Sequence, residues 1–396
     1  GEIINGVCLI SGKAPIQLAR VHRQLGGVRG GNTTGQGIIG FNEDAYESYG
    51  LTQSFNAPVS IEAAYEYTAA LNYLLKGDTS QKIQIGDATT VFWAGENSPV
   101  ETWFGQTIDP GTEIEAGLRD FLGAIRDGRM PKELEDEKDK QFFILGLSPN
   151  ASRISVRFWY PSTVEDVFGK LGEHYARMEI VKQYDNEGDF PGIWRLLRAI
   201  ATQGKTDNIP PLLAGEFMRS ILTGGRYPQP LLAAVLSRIR ADGKVDYYRA
   251  SLTKAILIKN HNKEVHMKLD KDSPYLSYHL GRLFAVLEKA QEEAIPGANT
   301  TVKDKYFGSA SATPGSVFPT LFQNYKNHLK KIRSENKGRA IWFEKQVGEI
   351  MGDHVPAEYF EAHLPLPDQG LFFVGYYHQR NDFLKKKSDK TETTDQ

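Results

Sequence analysis

Cysteine occurs once in the 396 residues, as Cys8. One sulfur can neither close an intramolecular disulfide nor supply a thiolate-rich zinc set, and such usage suits a reducing, cytoplasmic setting. Long apolar runs are missing too: no window approaches about eighteen uncharged apolar residues, which argues against a membrane-spanning helix or a secretory leader. The phosphate cradle G-x-x-x-x-G-K-[ST] is absent, and His261 and His266 stand five apart, not the four that would share a helix face. Nothing beside Cys8 could serve as its base. Gly35-Gln-Gly-Ile-Ile-Gly40 does match G-x-G-x-x-G. Its context fails, because no apolar strand precedes it and Phe-Asn-Glu-Asp follows where a dinucleotide-binding helix should already run. With no catalytic motif left, a non-enzymatic protein without cofactor or metal is expected.

Acidic residues are also missing from one long stretch. Between Ile3 and Asn42 there is no Asp or Glu, while Lys13, Arg20, Arg23 and Arg29 are present. The whole-chain balance of 47 basic to 49 acidic residues hides this local excess. A local basic segment in a neutral protein points to a polyanion. Inside it lies Gly26-Gly-Val-Arg-Gly-Gly-Asn-Thr-Thr-Gly-Gln-Gly37. Glycine permits positive φ and close approach to the main chain. Arg29, Asn32, Thr33, Thr34 and Gln36 supply donors and acceptors of the kind that meet phosphates and base edges. The plainer reading is a surface connection between two elements.

The rest of the chain reads as α+β, a mixed portion with short antiparallel strands over 1–204 followed by an all-helical bundle over 205–385 and a disordered tail over 386–396. Ser60 caps a helix with Ile61, Ala64, Tyr65, Thr68, Leu71 and Leu75 on one face. Lys82 to Ile85 and Thr89 to Ala94 form a hairpin at Gly86-Asp87. A second helix is expected over 111–128. Phe142 to Leu147 and Ile154 to Tyr160 are strands around a turn. Alternation in the second puts Ile154, Val156, Phe158 and Tyr160 on one face and Arg153, Ser155, Arg157 and Trp159 on the other. A face with Arg153, Arg157 and Trp159 suits a nucleic-acid backbone with stacked bases or a protein interface equally.

From Val164 on, helical patterns follow one another, the longest carrying Leu276, Leu280, Leu283, Phe284, Leu287 and Ala294 as a core stripe. The break at 203–211, polar with paired prolines, marks the domain boundary. Two basic clusters fall in this half. Lys326, Lys330, Lys331, Arg333, Lys337 and Arg339 share fourteen residues with one acid, Glu335. Arg238, Arg240, Arg249, Lys254 and Lys259 flank two neighbouring helices. Each could be a solvated face. Together they could form a groove for a nucleic-acid backbone.

The segments Cys8-Leu-Ile-Ser-Gly-Lys-Ala-Pro-Ile, Gly40-Phe-Asn-Glu-Asp-Ala-Tyr-Glu-Ser-Tyr-Gly, Leu145-Gly-Leu-Ser-Pro-Asn-Ala-Ser-Arg, Leu280-Gly-Arg-Leu-Phe-Ala-Val-Leu-Glu-Lys-Ala-Gln and Gly375-Tyr-Tyr-His-Gln-Arg resemble, in order and from end to end, the large subunit of the type I-C (Dvulg subtype) CRISPR Cascade surveillance complex. The resemblance implies a further N-terminal region before Gly1, so the chain is expected to be the remainder of a longer protein. It implies a non-catalytic subunit that recognises a protospacer-adjacent motif in duplex DNA, aids strand opening and holds the displaced strand on a helical part similar to the small subunit. The implied partners are the guide RNA complex, the Cascade backbone and guide-end-capping subunits, small subunits, target double-stranded DNA and a recruited helicase-nuclease, with no membrane. On this reading Arg29, Asn32, Thr33, Thr34 and Gln36 form the motif-recognition loop, and Arg238, Arg240, Lys254, Lys259, Lys330, Lys331, Arg333 and Lys337 hold the displaced strand. The alternatives are a scaffold that binds only proteins, anchored by Arg157, Trp159 and Gly375 to Arg380, and a nuclease or cofactor enzyme.

Overall fold

The computed structural model describes residues 3–392 apart from 78, 96–97, 112 and 356–359. In chain order it contains β1 (Asn5–Gly6), β2 (Ile16–Gln17), α1 (Ile61–Leu75), β3 (Lys82–Ile85), β4 (Ala88–Ala94), α2 (Val100–Ile108), α3 (Ala116–Arg126), β5 (Gln141–Asn150), β6 (Arg153–Thr163) and α4 (Val164–Met178). Helices alone follow: α5 (Ile193–Ile200), α6 (Pro211–Leu222), α7 (Gln229–Asp242), α8 (Tyr247–His261), α9 (Leu276–Ala294), α10 (Val302–Ala312), α11 (Pro314–Glu335), α12 (Lys337–His354) and α13 (Leu366–Glu392). The class is α+β, as expected. Two helices, α2 and α10, were not expected, and α13 continues past residue 386, where a disordered tail was expected. Among the described residues no helix is long and apolar enough to cross a membrane.

The chain forms two compact units, each from separated segments: 1–109, 128–171 and 210–225 in the first, 110–127, 172–209 and 226–396 in the second. Along the sequence the segments of the two units alternate.

The first unit is built on an antiparallel sheet in the order β3-β4-β5-β6, its first hairpin turning at Gly86 and Asp87 as expected. One sheet face buries Phe92 and Phe142 against Phe104 of α2, with ring centroids 4.7 and 5.1 Å from Phe104. The other face carries Val91, Leu145, Leu147 and Ile154, covered by Leu74 and Leu75 of α1 and by Leu25 and Val28 of the glycine-rich segment. Burying a leucine fully is worth roughly 1.5–3 kcal/mol. The segment is therefore anchored at its start by its own apolar residues.

Ser60 caps α1, its Oγ accepting from the Ala63 amide at 3.2 Å. The buried stripe differs from the expected one: Ala63, Ala64, Thr68, Leu74 and Leu75 are buried, whereas Ile61 and Tyr65 are exposed. The chain around buried Cys8 and Val59 packs directly on Ala63 and Ala64, where only small side chains fit. The β5–β6 turn is shorter than expected, only Ala151 and Ser152. Gly146 pairs with Phe158 and Leu147 with Val156, which leaves Arg157 as a bulge. A bulge resets the alternation. Ile154 and Trp159 consequently share the face of Leu145 and Leu147, and Phe158 lies on the opposite face, where its ring fills the space a Cβ at Gly146 would need.

In the second unit α9 is buried continuously from Ser277 to Glu288, so it is a central helix and not a one-sided one. It crosses α13 at glycines: a Cβ on Gly281 would come 1.9 Å from the Phe372 carbonyl oxygen, and one on Gly375 would come 2.1 Å from that of Tyr278.

Candidate nucleic-acid interface

The glycine-rich segment is a loop closed by a pair of backbone hydrogen bonds, Leu25 N to Gln36 O at 2.9 Å and Gln36 N to Leu25 O at 3.0 Å. The Gly26 amide donates to Asn72 Oδ1 of α1 at 3.0 Å, and the Arg29 amide donates to Thr89 Oγ1 of β4 at 3.0 Å. The Ile154 amide donates to the Gly37 carbonyl at 3.0 Å, tying the far end to β6. Gly27 takes a φ of +84° and lies so close to α1 that a Cβ there would sit 2.5 Å from the Leu75 carbonyl oxygen. A Cβ on Gly31 would meet Gln36 Oε1 at the same distance. These glycines are consumed in seating the loop, not in admitting a partner to its backbone.

The expected recognition residues separate accordingly. Arg29, Asn32, Thr33 and Thr34 are exposed at the tip, around a turn in which the Gly35 amide donates to the Asn32 carbonyl at 3.0 Å. Gln36 is 3% exposed and donates from Nε2 to the Ala151 carbonyl at 2.6 Å, so it braces the loop against the β5–β6 turn. Arg29 has no ion-pair partner among the described residues, which leaves the guanidinium open to a ligand.

Arg153, Arg157 and Trp159 do not form one face. Arg153 lies over the Tyr46 ring at 4.2 Å and donates to Asn42 Oδ1 at 3.1 Å. Bulged Arg157 pairs with Asp87, Nη2 to Oδ2 at 2.6 Å and Nε to the same oxygen at 3.0 Å. Trp159, 48% exposed, stacks on Phe143 at 5.8 Å, which in turn stacks on Trp93 at 5.5 Å.

In the second unit the cations also differ. Lys254 is buried and donates to the Arg177 carbonyl at 3.1 Å; burial pulls its pKa down to about 8. Arg238 is paired with Asp242, which also receives Arg249. Arg240 is half-buried near the Phe373 ring, and burial lowers its pKa. Lys259 lies over the Tyr227 ring at 4.7 Å. These side chains are partly or fully buried and engaged with their neighbours. By contrast Lys330, Lys331, Arg333 and Lys337 are exposed where α11 passes into α12, with Arg333 reaching Glu344. Arg333, in the last turn of α11, also complements the helix dipole. The segment Gly375 to Gln379 is buried inside the second unit, so its aromatic residues are not surface anchors.

No curated protein matches the chain. A family model does, and it runs over residues 2–384, taking in the glycine-rich loop, the four-stranded sheet and the helices from α5 to α12. The model describes a CRISPR-associated protein (Cas_Csd1), in keeping with the end-to-end order of segments noted in the sequence, and the chain belongs to that Csd1 family of CRISPR-associated proteins.

Proposed function

We propose that this CRISPR-associated protein is the large subunit of a type I-C Cascade complex, and that its glycine-rich loop contacts duplex DNA at the protospacer-adjacent motif. The observation that carries the reading is the division within the loop. Gly27 seats it on α1, Gln36 braces it on the β5–β6 turn and Gly31 makes room for Gln36, while Arg29, Asn32, Thr33 and Thr34 stand exposed on the fixed base. A pre-positioned tip of donors and acceptors reads base edges without first having to be ordered. Lys330, Lys331, Arg333 and Lys337 are the cations best exposed to take the displaced strand, by phosphate contacts that carry no sequence information. No catalytic step is assigned to the chain.

The test is binding by the assembled complex. Arg29→Ala and Asn32→Ala are expected to weaken duplex targets about tenfold or more while leaving single-stranded targets complementary to the guide nearly unchanged. Equal losses on both would overturn motif reading. A second reading, a scaffold making only protein contacts, is favoured by Trp159, the exposed end of the Trp93–Phe143–Trp159 stack, since aromatic residues are enriched at interfaces. Under that reading Trp159→Ala disrupts assembly and the loop variants change nothing.

A further inference from the structure

We propose that a cleft at the root of the loop, about 270 Å3 in volume and walled by Arg20 and Arg153, is a phosphate-binding site that holds a backbone phosphate of the duplex. The proposal deepens the duplex-binding reading above and rests on it for the source of the phosphate.

Several arginines of this chain meet carboxylates, as Arg157 meets Asp87, Arg339 meets Glu293 and Arg380 meets Glu292. Arg20 and Arg153 are held differently. Arg20 Nε donates to Gln53 Oε1 at 2.7 Å, and Arg153 Nη2 donates to Asn42 Oδ1 at 3.1 Å. A neutral amide orients a guanidinium without neutralising it, and a guanidinium carries five N–H donors, of which each amide takes one. Two guanidinium groups, each oriented by an amide and neither paired with a carboxylate, thus line one cleft, Arg153 with its face on the Tyr46 ring, and guanidinium groups recognise phosphate bidentately. No Asp or Glu lines the cleft; the Glu47 carboxylate is engaged with the Gln53 backbone amide at 2.7 Å.

A buried imidazole adjoins the same cleft. His22 lines the cleft at 4% exposed, with Nδ1 2.5 Å from the Tyr67 hydroxyl. Burial lowers the pKa of the ring, and Nε2, itself buried, has no partner among the described residues. Gln24 and Gly37, which also line the cleft, flank the Leu25–Gln36 pair that closes the loop. A phosphate in the cleft is thus held beside the exposed tip, dividing backbone positioning at Arg20 and Arg153 from reading at Asn32.

Two measurements test this. In the first, about 10 mM pyrophosphate is added to the full chain at fixed ionic strength. The melting temperature of the wild type is expected to rise, and that of the Arg20→Gln/Arg153→Gln double variant is not. No wild-type shift, an equal shift with chloride, or a shift retained by the double variant overturns the site. In the second, Arg153→Gln in the assembled complex is expected to weaken duplexes with and without the adjacent motif by the same factor, about 3- to 10-fold. It should also lower the slope of log affinity against log salt by about one. A pyrophosphate shift with an unchanged salt slope overturns the assignment to the DNA backbone. Asn32→Ala in the same assay separates the two ideas, because intact motif discrimination there defeats the loop reading while the pyrophosphate result still stands for the cleft.

Discussion

Asn32 and Gln36 carry the same amide four residues apart, and the fold gives them opposite work. Asn32 stands in an exposed turn; Gln36 sits at the closing pair of the loop and reaches the Ala151 carbonyl. Gln36→Ala leaves that carbonyl without its donor and is expected to cost about 1–3 kcal/mol in denaturant unfolding of the full chain. Asn32→Ala should leave the same transition within about 0.5 kcal/mol, as surface changes do. A stability loss at Asn32, or none at Gln36, would reverse the division between tip and base. Gly27→Ala places a Cβ 2.5 Å from the Leu75 carbonyl oxygen at a φ of +84° and is expected to cost more than about 2 kcal/mol.

At the scale of elements, helical glycines offer a sharper contrast. Gly281 and Gly375 let α9 and α13 touch backbone to backbone, so Gly281→Ala must push the helices apart and is expected to cost more than about 2 kcal/mol by urea unfolding. Gly348 of α12 has open space where its Cβ would go, and Gly348→Ala is expected to stabilise by about 0.5–1 kcal/mol, the helix propensity difference alone. The exposed end of α11 carries the functional counterpart. Reversing Lys330, Lys331 and Arg333 to glutamate is expected to leave motif discrimination intact but destabilise the displaced strand, read as lost permanganate reactivity of its thymines. Unchanged reactivity would remove this cluster from strand holding.

For the molecule as a whole, two buried histidines set an acid limit. His174 and His378 each lie with Nδ1 2.8 Å from a tyrosine hydroxyl, and burial lowers both to about 3. Below about pH 6.5 the unfolded chain binds protons at these rings and the folded chain does not. Stability is therefore fully present above that pH and falls as pH drops, by about 1.4 kcal/mol per unit for each ring. The urea midpoint of the wild type is expected to fall between pH 7.5 and 5.5, and His378→Gln to flatten that fall. A parallel slope in the variant would show that the ring is protonated in the folded state.

Much of this was legible along the chain. The Ser60 cap, the hairpin at Gly86 and Asp87 and the helical succession after Val164 are local, because capping, turns and amphipathic period depend on residues a few positions apart. The acid-free stretch from Ile3 to Asn42 is likewise visible in the sequence alone, and it is what first suggests the proposed contact with a polyanion. Pairing across distance was not legible. Gln36 meets Ala151 across 115 residues, and Arg157 meets Asp87 across 70. One bulged residue turned Trp159 to the side opposite that expected from alternation. Residue type told which side chains could bind a phosphate or a base. Which of them remain free to do so, Arg20, Arg29 and Asn32 but not Gln36, Arg157 or Lys254, depended on the neighbours that folding brought beside them, since a buried donor or charge must be satisfied from within the fold.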